Sequence, residues 1–122
     1  MNIAYFGYDF FYSCLEEILD QGHTVQKVFS FPCDNIYNFN KRVQKCAQDL
    51  GIEFSLEKVT ESDISDLKAK GCELIIVAGY QYKISLHPSL RAINIHPTLL
   101  PEGRGQWPLP WVILKDLKKS GV

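Results

Sequence analysis

The sequence predicts an α/β fold with a doubly wound, mainly parallel sheet. Apolar, strand-like runs alternate with amphipathic helical patterns along the chain. Strands that are separated by helices pair in parallel and connect through right-handed crossovers. The run "ELIIVAGY" at 73–80 is almost continuously apolar, as expected of a strand that helices cover on both faces. These observations together predict a sheet with helices packed on both sides.

The first half of the chain shows three strand patterns and two helical ones. The strands are predicted at 2–8, 24–31 and 52–56, and the helices at 10–21 and 35–50. Gly22 and Gly51 each follow a helical pattern, which is the usual place for a glycine at a helix C-terminus. Asp34 is predicted to be the N-cap of the second helix, because a carboxylate accepts hydrogen bonds from free backbone N–H groups there.

The second half contains a further helix, two strands and a final helix. "TESD" at 60–63 has the form of a capping box, so it predicts a helix over 61–70. After the apolar strand and an irregular segment, "AINIH" at 92–96 is predicted to be the last strand. A final helix is predicted at 107–119, because prolines lie near its start and lysines near its end.

Composition and charge exclude several classes of protein. The chain has 122 residues, 46% of them hydrophobic, and a net charge of -1, so charge does not by itself indicate a nucleic-acid or polyanion partner. No apolar run approaches the roughly 20 residues of a membrane span, and the N-terminus lacks a signal-peptide pattern. We therefore expect a cytoplasmic protein with no membrane partner.

The cysteines do not form the pattern of a metal site. None belongs to a CxxC pair, and no histidine lies at ligand spacing to one. They are Cys14, Cys33, Cys46 and Cys72. We expect four reduced thiols, mostly buried as small hydrophobic side chains, and no metal.

The end of the last predicted strand carries two groups that suit acyl transfer. Asn94 and His96 are two residues apart, so the pleat of a strand would point both to one side. Two donors that converge can stabilise an oxyanion, and the imidazole can also relay a proton. Alternatively, both side chains only satisfy backbone groups of the loop. Arg104, between two glycines, is either a substrate ligand or a solvated charge.

These residues belong to a string that resembles a known family signature. "INIHPTLLPEGRGQWPLPWVI" at 93–113 is similar to the signature of the formyltransferases that use 10-formyltetrahydrofolate. "IAYFGYDFFYSCLEEILDQGHTVQKVFSFP" at 3–32 resembles that family's first βαβ unit, and "ELIIVAGYQYKIS" at 73–85 resembles the strand and loop that line its folate pocket. The resemblance covers essentially the whole chain and implies a Rossmann-like formyltransferase N-terminal domain.

The resemblance also implies roles for individual residues. Asn94 matches the asparagine that binds the formyl oxygen, and His96 matches the histidine that assists proton movement and stabilises the tetrahedral intermediate. Arg104 belongs to the RG dipeptide and is the candidate for substrate binding. The loop against which the pterin packs matches Gly79, Tyr80, Gln81, Tyr82, Lys83 and Ile84. The implied co-substrate is 10-formyltetrahydrofolate, whose formyl group passes to a primary amine without a metal.

Two positions depart from the family pattern. Gly103 stands where an aromatic residue commonly precedes RG. The family's catalytic aspartate follows a strand that begins Gly-Val-Thr, whereas this chain ends at "SGV", and Asp116 does not match it. We therefore expect 1–122 to be a partial N-terminal domain, incomplete at its C-terminus and inactive or impaired by itself. We also expect self-association through an uncovered edge at 92–96.

The acceptor is less well indicated. The loop "FGYDFFYS" has one glycine, so it does not resemble the phosphate-binding loop of the purine-pathway members. The sequence looks closest to the branches that formylate amino-sugar nucleotides or methionyl-tRNA. Because the chain has no basic surplus, we favour a small amine on a sugar nucleotide and leave initiator tRNA open. A noncatalytic folate- or nucleotide-binding module and a structural remnant of a truncated gene are the competing hypotheses.

Overall fold

The structure is a computed structural model that describes residues 1–34, 36–37 and 39–122. Within these residues it contains five strands and four helices. The strands are β1 (Asn2–Gly7), β2 (Thr24–Phe29), β3 (Glu53–Ser55), β4 (Leu74–Ala78) and β5 (Arg91–Asn94). The helices are α1 (Tyr12–Asp20), α2 (Lys41–Asp49), α3 (Glu61–Ala69) and α4 (Pro108–Leu114).

The strands form one parallel sheet, with the order β3-β2-β1-β4-β5. The chain moves outward from β1 to β3 and then returns to the other side of β1 for β4 and β5. This order is that of a doubly wound sheet and confirms the predicted fold class. In such sheets, ligands bind outside the carboxyl ends of the strands where the order reverses. In this sheet, that place lies between β1 and β4.

The two faces of β1 belong to two separate hydrophobic clusters. Ile3 and Tyr5 pack with buried side chains of α1 and α2, whereas Ala4 and Phe6 pack with buried side chains of α3. All four side chains are buried, because successive strand residues point to opposite faces and both faces are covered by helices. This arrangement explains why the central strands read as nearly continuous apolar runs.

The helix predicted at 35–50 begins later, at Lys41, because a distant residue caps it. Asp9 follows β1, and its carboxylate oxygen Oδ1 accepts hydrogen bonds from the backbone N–H groups of Arg42 and Val43, both at 3.0 Å. The backbone N–H of Asp9 also donates a hydrogen bond to the carbonyl oxygen of Phe39, just before the helix. The start of α2 is therefore set by the end of β1, not by the preceding residues.

The predicted N-cap of that helix is wrong for the same reason. Asp34 accepts a hydrogen bond from the backbone N–H of Ile36 at 3.1 Å, so it closes a local turn instead. The predicted helical positions 35 and 38 lie outside the described residues.

Other local predictions are confirmed, with shifted boundaries. Thr60 and Asp63 form the predicted capping box at the start of α3. Gly22, Gly51 and Gly71 all have positive φ after a helix. A short 3₁₀ turn over Asp9–Phe11 replaces the first predicted turn of α1, β5 ends at Asn94, and α4 ends at Leu114.

In the part of the chain that the structure describes, no helix is long and apolar enough to cross a membrane. The cytoplasmic location and the assignment of 1–122 to part of a larger N-terminal domain stay predictions. The thiols of Cys14, Cys33, Cys46 and Cys72 are all free, but only Cys72 is buried. The other three are half-buried, so the expectation of mostly buried thiols was too strong.

Candidate active site at the carboxyl edge of the sheet

Asn94 is the last residue of β5 and lies at the carboxyl edge of the sheet. It pairs with Val77 of β4, which pairs with Phe6 of β1. The Asn94 side chain is exposed, and no hydrogen bond from it to another described residue is present. A free amide at this edge can donate a hydrogen bond to an incoming carbonyl oxygen.

His96 lies beyond the end of β5, so the pleat of the strand does not orient it as predicted. The loop orients it instead: its Nε2 is 3.0 Å from the carbonyl oxygen of Gly103. A carbonyl oxygen only accepts hydrogen bonds, so Nε2 carries the proton. In the neutral ring, Nδ1 is then the atom that can accept a proton.

The loop that holds His96 is closed by Thr98. Its hydroxyl donates to the carbonyl oxygen of Glu102 at 2.8 Å, and its backbone N–H donates to the carbonyl oxygen of His96 at 2.9 Å. Thr98 is almost completely buried. Gly103 has a φ of 63°, and a Cβ there would come within 2.8 Å of the Thr98 side chain. The departure from the family pattern at Gly103 therefore has a steric reason in this chain.

A cleft of about 380 Å³ lies next to Asn94. It is lined by the segment after β4 and by β5, with these residues: Val77, Tyr80, Tyr82, Ile84, Leu86, Ala92, Ile93 and Asn94. Its volume is within the range of small-molecule sites, which are mostly apolar with a few polar groups. The lining is mostly apolar, and Asn94 adds a side-chain amide to it. A flat heteroaromatic ring suits such a cleft, because its faces make apolar contacts and its ring nitrogens can form hydrogen bonds.

The structure brings three of the six predicted loop residues to the cleft. Tyr80, Tyr82 and Ile84 line it, whereas Gln81 and Lys83 are exposed and do not. Alternation along an extended segment separates the two sets, since successive side chains point to opposite sides. The carbonyl oxygen of Gln81 accepts a hydrogen bond from the Gln106 side chain at 3.1 Å, which ties this loop to the loop around Arg104.

Tyr80 also has a structural role. It is buried, its hydroxyl accepts a hydrogen bond from the backbone N–H of Val59 at 3.0 Å, and its ring packs edge-on against Phe6. Burial raises the pKa of the Tyr80 hydroxyl, so it stays protonated at neutral pH. This residue is a fixed wall of the cleft.

Gly79 connects the cleft to the end of β1. It has a φ of 84°, and a Cβ at this position would come within 2.4 Å of the Tyr8 ring and 3.0 Å of the Phe11 ring. It is not among the residues that line the cleft. The role of Gly79 is therefore structural: without a side chain, its backbone can pass directly beneath the Tyr8 ring.

Arg104 is exposed and makes no hydrogen bond or ion pair with any described residue. Its guanidinium is therefore accessible to an anion from solvent. Asp116 is exposed after α4, where its carboxylate pairs with Lys118. No group of three or more potential metal ligands is present among the residues that the structure describes.

Sequence reasoning missed the hydrophobic lining of the cleft on β5 and the aromatic side chains after β1. Ala92 and Ile93 line the cleft, although the sequence predicts them only as apolar residues of the uncovered edge at 92–96. Tyr8 and Phe10 lie at the carboxyl end of β1 and were not singled out. The signal was present in "FGYDFFYS", where four aromatic residues follow a strand whose carboxyl end faces the site.

Comparisons with known proteins agree with this architecture. No family model matches the chain. The methionyl-tRNA formyltransferase of Agathobacter rectalis is 31% identical over 134 aligned positions, which cover 100% of this chain and 43% of that protein. The methionyl-tRNA formyltransferase of Alkaliphilus oremlandii is 29% identical over 136 positions, with 100% and 43% covered. The chain thus spans less than half the length of these curated relatives.

A solved structure shows the same fold. The phosphoribosylglycinamide formyltransferase of Anaplasma phagocytophilum superimposes with a TM-score of 0.72 and 20% identity, over 97% of this chain and 60% of that one. The fold is therefore that of a Rossmann-like formyltransferase N-terminal domain. With its relatives in view, this chain belongs to the formyltransferase family.

Proposed function

We propose that the protein takes part in formyl transfer from 10-formyltetrahydrofolate to a primary amine. The observation that carries the proposal is the cleft beside Asn94, whose side-chain amide is free at the edge where such sheets bind ligands. Tyr80, Tyr82 and Ile84 would hold the pterin ring against the strand. When bound, the folate supplies an activated formyl group, which is the electrophile of the reaction.

The chain's own residues divide the work of the transfer. The amine nitrogen attacks the formyl carbon, the bond from that carbon to the folate nitrogen breaks, and the amine's proton passes to the leaving nitrogen. Asn94 would donate a hydrogen bond to the formyl oxygen, where negative charge develops. His96 would accept the proton at Nδ1, because Nε2 is engaged with the Gly103 carbonyl. Arg104 would hold an anionic part of the acceptor.

Methionyl-tRNA is the acceptor that the names of the relatives favour, since both are methionyl-tRNA formyltransferases. The sequence favoured an amino-sugar nucleotide, and no comparison supports that acceptor. The 13 basic and 14 acidic residues of this chain provide no surplus of positive charge for tRNA. Because the relatives outweigh this argument from charge, we rank methionyl-tRNA first as the acceptor. The amino-sugar nucleotide is the alternative acceptor in the test.

The test measures folate binding and formyl transfer separately in the full-length gene product. Calorimetry with 5-formyltetrahydrofolate, which does not transfer its formyl group, reports binding. A single-turnover assay with 10-formyltetrahydrofolate and either methionyl-tRNA or an amino-sugar nucleotide reports transfer. We expect folate binding and formylation of methionyl-tRNA. Folate binding without transfer to either acceptor would favour the noncatalytic module, and no folate binding would overturn the proposal.

A further inference from the structure

A group of aromatic rings covers the carboxyl ends of β1 and β2. We define it as the aromatic platform, and it consists of Tyr8, Phe10, Phe31 and Phe39. Tyr8 is its centre: its ring centroid lies 6.1 Å from Phe10, 5.5 Å from Phe31 and 6.3 Å from Phe39. We propose that the platform binds the nucleobase of the formyl acceptor by stacking. This inference rests on the proposed function.

The platform presents ring surface to solvent from a rigid base. The side chain of Phe10 is 63% exposed and that of Phe39 is 40% exposed, whereas Phe11 beneath them is buried. The carbonyl oxygen of Phe11 accepts a hydrogen bond from the buried hydroxyl of Tyr5 at 2.9 Å, which fixes the turn to the sheet. Exposed single aromatic residues are common, but a contiguous, supported group of rings marks a binding surface.

The platform is continuous with the candidate active site. The Tyr8 ring packs over Gly79, and the chain then continues into Tyr80, which lines the cleft. β1 and β5 are separated by β4 alone, so the end of β1 lies on the order of 10 Å across the sheet from Asn94. In the aminoacyl-adenosine end of methionyl-tRNA, a ribose and an ester separate the base from the amine by a distance of that order, so a base on the platform leaves the amine near Asn94.

The charges around the platform favour a base over a phosphate. The carboxylate of Asp9 already occupies the N-terminus of α2, where a phosphate would otherwise find free backbone N–H groups. The guanidinium of Arg42 lies 4.1 Å from the centroid of the Tyr12 ring, so this cation is stacked beside the platform. The faces of the aromatic rings are therefore the groups that would bind the nucleobase. Base–aromatic stacking is possible with any base.

Stacking of this kind serves both candidate acceptors, since methionyl-tRNA ends in an adenosine and an amino-sugar nucleotide carries its own base. The test is an NMR titration of the protein with AMP, with UMP and with ribose 5-phosphate, which lacks a base. We expect the ring resonances of Tyr8, Phe10 and Phe39 to shift with both nucleotides and not with ribose 5-phosphate. Competition of AMP with methionyl-tRNA in the formylation assay of the full-length gene product would support the tRNA source, and competition only with an amino-sugar nucleotide would support the sugar-nucleotide source.

Three variants make the test specific. Phe10→Ala should weaken AMP binding roughly tenfold, within the range for loss of one base–aromatic stack. Phe10→Trp should retain it, and Leu50→Ala, at an exposed apolar side chain after α2, should not change it. Folate binding should be the same in all three, so loss of nucleotide binding separates this inference from the proposed function.

Two results would overturn the inference. One is equal AMP affinity in Phe10→Ala and the unmodified protein, with both folded by circular dichroism. The other is a set of ring shifts that depend on protein concentration and not on nucleotide, which would show that the platform is a contact between copies of the chain.

Discussion

The ring of Tyr8 occupies the space that a Cβ on Gly79 would need, since such an atom would stand 2.4 Å from the ring carbon Cε1. This contact joins the end of β1 to the segment that begins the cleft. Gly79 also has a φ of 84°, a backbone conformation that residues other than glycine adopt only at a cost in free energy. One glycine therefore allows both the close approach and the turn.

Gly79→Ala should destabilise the protein by about 3 kcal/mol, because it adds a steric clash to the cost of the left-handed backbone. Gly22→Ala is the matched control, because Gly22 has a φ of 74° but no atom within 4 Å of an added Cβ. It should cost only about 1 kcal/mol. Urea denaturation measures both, and equal costs would show that Tyr8 moves aside.

Asn94→Ala and His96→Ala should lower kcat in the full-length gene product by about 10²–10³ and change the folate Kd little. Both side chains are proposed to act on charge that develops only in the transition state, so their loss affects turnover more than binding. Steady-state kinetics and calorimetry measure the two quantities. An unchanged kcat for either variant would remove that residue from the mechanism.

Asp9→Ala should destabilise the protein by about 1–2 kcal/mol, as expected for loss of a helix N-cap. Its carboxylate is the group that accepts from Arg42 and Val43 at the start of α2. Asp34→Ala should cost less, because Asp34 closes only a local turn with Ile36. Thermal unfolding of the two variants compares them directly, and a larger cost for Asp34→Ala would favour the cap predicted from sequence.

Acid should destabilise the protein partly through Asp63. Burial would raise the pKa of this carboxyl, but hydrogen bonds from Thr60 and the ammonium of Lys27 outweigh it and hold the pKa below its ordinary value of 3.8. The contribution of ionised Asp63 to the free energy of unfolding is therefore complete above the ordinary pKa, and it is lost as the pH falls through the lower pKa of the folded state.

Asp63→Asn should remove this part of the pH dependence, whereas Asp49→Asn, in an exposed pair with Lys45, should leave it in place. Urea denaturation between about pH 2.5 and 6 measures both. An Asp63→Asn profile with the original slope would assign acid sensitivity to other groups.

The β5 edge should make the chain self-associate. Among the described strands, β5 pairs only with β4, all four of its residues are exposed, and Ile93 is 53% exposed. An unprotected apolar edge promotes pairing with another chain, and a lysine there opposes it. Ile93→Lys should therefore reduce the mass measured by light scattering across a tenfold concentration range. Leu50→Lys, the same change elsewhere, should not, and a monomer at every concentration would contradict the argument.

The sequence by itself determined the order and type of most elements. The continuous apolar run at 73–80 is typical of a strand covered on both faces, and glycines such as Gly22 and Gly51 end helices by local backbone geometry. The capping box of Thr60 and Asp63 is likewise local, so its pattern and its structure agree. The position of Asn94 at the end of the last strand also followed from the pattern, whereas His96 lies beyond that strand.

Only the tertiary structure decided how distant segments meet. The start of α2 is set by Asp9, the orientation of His96 by Gly103, and the need for glycine at Gly79 by Tyr8. In each case the partner belongs to another segment, and short-range periodicity carries no information about contacts that close only when the sheet forms. The cleft arises in the same way, because it exists only once the segment after β4 folds beside β5.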